Sequence, residues 1–149
     1  MSPPPLPNQL VGLDPGRSKC GLVLADVEQA LVREAGVLPA EQCRRRIETW
    51  LASGGCRAVV LGNGTGSAPW QSWLQDRLPL VLVPEAGTTL EARSRYWQLE
   101  PPRSWRRLLP RGLRLPPRDV DDVVAQILLE RHLGRELRRP TGLTLLSNA

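Results

Sequence analysis

Three acids in this sequence fall where a folded chain ordinarily buries carbon. Asp14 closes an apolar run in "VGLDPGRSKCG" (11–21), and Glu85 lies just past "LVLV" (80–83). Asp121 opens an apolar stretch in which Val124, Ala125 and Leu128 follow at i+3, i+4 and i+7, so it shares their helical stripe. Its neighbour Asp122 is turned about 100° away, toward Gln126. A carboxylate on a buried stripe is costly unless a cation neutralises it. Hard oxygen donors without clustered His or Cys point to Mg²⁺ or Mn²⁺ rather than zinc. Carboxylate-held ions suit phosphodiester cleavage, in which one ion activates water and a second stabilises the leaving oxygen. Each acid also has an ordinary reading. Asp14 sits in good turn chemistry, Glu85 could solvate a strand end, and Asp121 could serve the helix dipole. Acids at the ends of three separate apolar elements favour the metal reading.

The surrounding charge suits a phosphate chain. Asp14 is followed at once by Pro15-Gly16 and then by Arg17 and Lys19, the only lysine. From Arg103 to Arg118 there are six arginines (103, 106, 107, 111, 114 and 118) and no acid, with Trp105 among them. Arginine forks onto phosphate oxygens and stacks on bases, so an acid-free arginine segment favours nucleic acid as partner over a merely solvated loop. The net charge of +5 agrees with that. No apolar run is long enough to cross a bilayer, and "MSPPPLPNQ" has neither the basic nor the apolar region of a secretory signal. Cys20, Cys43 and Cys56 are odd in number and widely spaced, as expected of reduced thiols in a cytoplasmic protein.

The elements that must position these residues are legible as periodic segments. A first strand over 10–13, a second in "CGLVLAD" (20–26) and a third within 30–39 have short connections and predict an antiparallel meander. "AEQCRRRIETWLASGG" (40–55) reads as a helix stopped by two glycines, and "RAVVLG" (57–62) as a strand covered on both faces. A helix over 68–78 and a strand over 80–83 follow. Thr88-x-x-Glu91 has the pattern of a capping box and predicts a helix through Tyr96 and Trp97. Five prolines between 101 and 118 predict a mobile basic arm, and Asp119 is the expected N-cap of a last helix over 119–137. The sum is one α/β domain over 10–137, a mixed five-stranded sheet with its first three strands antiparallel and helices on its faces. A flexible proline-rich tail (1–9) and a frayed C-terminal tail (138–149) flank it.

The three acid segments resemble, in order, motifs of the YqgF (RuvX) family of Holliday junction resolvases and pre-16S rRNA nucleases, in the RNase H-like superfamily. "DPGRSKCG" (14–21) is similar to the first-strand motif, "VPEAGTTLEAR" (83–93) to the strand-to-helix segment, and "VDDVVAQILLERHL" (120–133) to the C-terminal helix. The likeness runs over about residues 10 to 134. It implies an RNase H-like fold, with Asp14, Glu85 and Asp121 as catalytic, Mg²⁺- or Mn²⁺-holding acids. Pro84 stands where that family usually has a further acid, so Asp122 or Asp119 is expected to help if two ions bind. Arg17, Lys19 and the arginines of 103–118 would hold the substrate, a structured RNA or branched DNA. The chain would act as a monomer or homodimer, since resolving a junction needs two copies.

Two other readings are set beside this one. Asp-x-Gly with a basic turn also opens the phosphate loop of actin-like ATPases, but those need two such domains, and "GNGTG" (62–66) lacks the Lys-Ser/Thr of a P-loop. A catalytically weak or inactive RNase H-like module could bind nucleic acid or protein without cutting. Asp121 separates the two, because a pure binder has no use for a carboxylate on a buried stripe.

Overall fold

The computed structural model describes residues 8–102, 104–110 and 113–147. Most of the predicted tail (1–9), together with Arg103 and Arg111, lies outside the described residues. Asn8 and Gln9 belong to the domain, Gln9 as the first residue of a strand.

Among the described residues the elements are, in order, β1 (Gln9–Asp14), β2 (Cys20–Asp26), β3 (Leu31–Leu38), α1 (Ala40–Ala52), β4 (Ala58–Gly62), α2 (Ser67–Leu74), β5 (Leu80–Val83), α3 (Thr88–Leu99), a 3₁₀ turn (Ser104–Leu108) and α4 (Asp121–Leu133). The sheet has the order β3-β2-β1-β4-β5. β1 to β3 form the predicted antiparallel meander, and β4 and β5 run parallel to β1.

Both faces are covered, and side-chain alternation decides which residue faces which layer. Val11, Leu13, Leu22, Val59 and Leu61 pack with Ile47, Trp50 and Trp70 of α1 and α2. Leu10, Val23, Val60, Val81 and Val83 pack on the opposite side with Ala92 of α3 and the buried length of α4. By that alternation Asp14 shares a face with Leu10 and Gly12, and Glu85 with Val81 and Val83. Both therefore fall on the face that α4 crosses. The approach is close. A Cβ on Gly12 would stand 2.6 Å from the Ala125 carbonyl oxygen, and one on Gly21, the register partner of Asp14, would run into the carbonyl of Asp121. Glycine at these two positions lets α4 lie against β1 and β2.

The structure departs from the sequence reading at the caps and in the tails. The N-cap of α4 is Val120, not Asp119, and no side chain caps it. The N-cap of α3 is Gly87 at φ 76°, so Thr88 does not form a capping box; its hydroxyl donates to the Glu85 carbonyl at 2.7 Å. The C-terminal segment is not frayed over its described length. It runs parallel to β3, with Arg138 N–H donating to Ala30, Val32 N–H to Arg138, and Leu146 N–H to Ala35. An edge strand presents unpaired backbone groups, and the tail satisfies two of those of β3, the Val32 N–H and the Ala35 carbonyl. The arm is likewise held: Trp97 Nε1 donates to the Arg114 carbonyl at 3.0 Å, and Arg114 donates to the carbonyls of Arg107 and Leu109.

Candidate acid site

The three acids come from three elements that end at one edge of the sheet. Asp14 is the last residue of β1, Glu85 follows β5, and Asp121 is the first residue of α4. All three are half-buried. Asp14 bears the electrostatic mark of their approach. Burial, then the charge of Asp121, then that of Glu85 push its carboxyl from 3.8 up to about 8. Asp121 is also raised, first by burial and then by Asp119 and Asp122, with Lys19 pulling the other way. Lys19, at the far end of the Pro15-Gly16 turn, thus supplies positive charge toward Asp121.

Glu85 lies in a glycine cradle. A Cβ on Gly62 would collide with its Oε1, and one on Gly64 with its Oε2. Oε1 is buried and makes no hydrogen bond. The backbone around Glu85 is fixed: its N–H donates to Asn63 Oδ1 at 3.2 Å, and its carbonyl accepts from Thr88. Gly62 and Gly64 of "GNGTG" therefore seat the Glu85 carboxylate. The sequence signal for this is an Asn between glycines at the C-terminal end of a central parallel strand, where ligand loops collect.

Asp122, expected as a further metal ligand, is placed differently. It is fully buried, and its two oxygens accept from Arg118 at 2.8 Å and Arg139 at 2.9 Å. Its charge is already neutralised by two guanidinium groups on the inner side of α4. The stripe assignment is thereby reversed: Asp122 is the core residue, and Asp121 turns half-exposed toward Asp14. Helix α4 is buried on more than one side, from Asp122 to Leu129, so one apolar stripe does not define its inner face. Gln126, buried beside Asp122, donates to the Leu137 carbonyl and accepts from Arg139.

Among the expected phosphate-binding residues, Arg17, Lys19 and Arg107 are exposed. Arg106 stacks over Trp105, which is 59% exposed. Arg114 and Arg118 are engaged within the protein, the first with two carbonyls and the second with Asp122, Glu100 and the face of Tyr96. His132 is exposed, and the three cysteines are buried and free.

The donor set suits a hard divalent ion. Among the described residues no three His, Cys, Asp or Glu side chains stand close enough together to hold a metal ion between them. Mg²⁺ does not require three, because it keeps water and takes substrate phosphate alongside one or two carboxylates. A cation between the strand ends would relieve both the unpartnered Glu85 oxygen and the repulsion at Asp14.

The strand order, the meander followed by two parallel strands and the closing helix across β1 define an RNase H-like fold. No protein-family profile and no curated protein sequence matches the chain. Among solved structures it is similar to T. thermophilus RuvC in complex with a Holliday junction substrate, at 15% identity and a TM-score of 0.45, covering 83% of this chain and 96% of that one. No helix among the described residues is long and apolar enough to cross a membrane.

Proposed function

We propose that this protein is a metal-dependent nuclease of the YqgF type, hydrolysing phosphodiester bonds in structured nucleic acid. The observation that carries this reading is the placement of Asp14, Glu85 and Asp121 at the end of β1, just past β5 and at the start of α4, with a Glu85 oxygen buried and unbonded; the raised Asp14 carboxyl agrees with it. Acids that disfavour one another's charge at the end of a sheet are what a cation-binding site supplies. Asp14, Glu85 and Asp121 would hold Mg²⁺ or Mn²⁺, which supplies an activated water and charge against the scissile phosphate. Asp122 has no part in this, since its oxygens are committed to arginine.

Each remaining residue has a defined task. Glu85, its backbone held and its side chain seated against Gly62 and Gly64, presents a carboxylate at the end of β5. Lys19 offsets the negative charge at Asp121. Arg17, Arg106 and Arg107 present guanidinium groups to phosphates, with Trp105 as a surface for a base. Arg103 and Arg111 belong to the same basic segment.

The test is cleavage of end-labelled four-way DNA junctions and precursor ribosomal RNA fragments with Mg²⁺ or Mn²⁺, with Asp14→Asn as control. Metal-dependent cutting that falls by roughly 100-fold or more in the variant is expected, and the preferred substrate separates junction resolution from rRNA processing. Binding without cutting, unchanged in Asp14→Asn, would leave a nucleic-acid-binding module in place of an enzyme.

A further inference from the structure

Arg131 stands ten residues after Asp121, on the last turn of the same helix. Its guanidinium does not face solvent alone. Nη1 donates to the Pro84 carbonyl at 2.8 Å and Nη2 to the Ala86 carbonyl at 3.1 Å, so the two residues flanking Glu85 are held by one side chain. Nη2 also pairs with Glu91 Oε2 at 2.8 Å, which fixes the guanidinium against α3. Asn63 on the Glu85 N–H and Thr88 on its carbonyl hold the residue itself, and Arg131 holds its two neighbours.

We infer that Arg131 is a positioning residue for the acid site, setting the place of Glu85 relative to Asp121 so that both can hold one divalent ion. The inference rests on the metal reading proposed above. Its physical basis is that α4 is a rigid body carrying Asp121 at one end and the clamp at the other. The separation of the two acids is then fixed by the helix instead of by a short, half-exposed strand. β5 has only four residues and lies at the sheet edge, so on its own it leaves the loop after Val83 poorly determined. A planar guanidinium can bind two carbonyls and a carboxylate together, which an ammonium cannot do in the same geometry.

The test is Mn²⁺ affinity of the full chain, read from the electron paramagnetic signal of free Mn²⁺, alongside Tm and hydrogen exchange at the Thr88 amide, which is bonded to the Glu85 carbonyl. The variants are Arg131→Ala, Arg131→Lys and Arg95→Ala. Arg95 joins α3 to α4 through Glu130, Glu136 and the Leu137 carbonyl without touching the Glu85 loop, so it controls for reduced stability. Arg131→Ala is expected to weaken Mn²⁺ binding about 10- to 100-fold, as removal of an outer partner of a metal ligand does, and to speed exchange at Thr88. Arg131→Lys should recover part of the affinity, and Arg95→Ala should lower Tm with affinity retained. Equal affinity in wild type and Arg131→Ala, or an equal fall in affinity in Arg131→Ala and Arg95→Ala, overturns the positioning role. A wild-type protein that binds no Mn²⁺, or binds it as well after Asp14→Asn, overturns the metal reading and this inference with it.

Discussion

Asp14 is the residue on which burial, charge and function meet, and its titration is the most direct readout of the site. Its carboxyl loses its proton near pH 4 in the unfolded chain but near 8 in the folded, metal-free protein. The folded state therefore binds more protons across that window, and stability falls as pH rises through it. Above about pH 8 the full cost is present, and below about pH 4 it vanishes. Asp14→Asn should accordingly stabilise the metal-free protein at pH 8 by roughly 1–3 kcal/mol and change little at pH 4, measured by denaturant melts in EDTA. Addition of Mg²⁺ to the wild type near neutral pH should release a proton, because a ligand must be deprotonated. Unchanged stability at pH 8 in the variant would mean that the three acids do not repel one another as placed. At this scale the sequence is informative about type and misleading about orientation. Asp14, Glu85 and Asp121 are visible as acids at apolar borders. That Asp122 and not Asp121 is the core residue is not visible, because its partner Arg139 lies beyond the helix, in a segment without periodicity.

The elements themselves are readable from period and punctuation, since strand alternation and helical spacing are properties of consecutive residues. Their caps are not. Thr88 and Asp119 have the right chemistry for N-caps, but the start of each helix is set by what it crosses: Glu85 in one case, Gly21 in the other. Gly21 inside β2 and Gly62 at the end of β4 leave the room for α4 and for the Glu85 side chain, and they give a prediction at this scale. Gly21→Ala places a methyl group against the Asp121 carbonyl and should destabilise the protein by about 1–3 kcal/mol as α4 is displaced. Gly62→Ala instead drives a methyl into the Glu85 carboxylate, a movable side chain. It should lower Tm less while abolishing metal-dependent cutting, which thermal melts and the junction assay together would separate. A Gly62→Ala protein with full activity would show that Glu85 is not needed where it lies.

At the scale of the whole molecule, arginine divides into two populations that composition merges. Arg95, Arg114, Arg118 and Arg139 bind carboxylates or carbonyls of their own chain and hold α3, the arm and the C-terminal segment around α4. Arg17, Arg106 and Arg107 make no side-chain bond to a carbonyl or carboxylate among the described residues, as the proposed contact with a phosphate chain requires. The sequence shows a basic arm; only the fold shows which of its charges are already paired. The two populations should respond differently to removal. Arg106 and Arg107 together replaced by alanine should leave Tm within about 1 °C of wild type, as surface changes do. The same change should make nucleic-acid binding less sensitive to salt, by up to about 0.9 in log–log slope for each phosphate that the two arginines neutralise. Arg118→Ala should do the reverse, leaving Asp122 half-paired in the core at a cost of roughly 3–5 kcal/mol in stability, with the salt slope of the folded protein intact. Filter binding across a salt series, paired with thermal melts, distinguishes the two. If Arg118→Ala flattened the salt slope as much as the Arg106/Arg107 pair while leaving stability unchanged, the guanidinium at Asp122 would be a nucleic-acid contact and the two populations would be one.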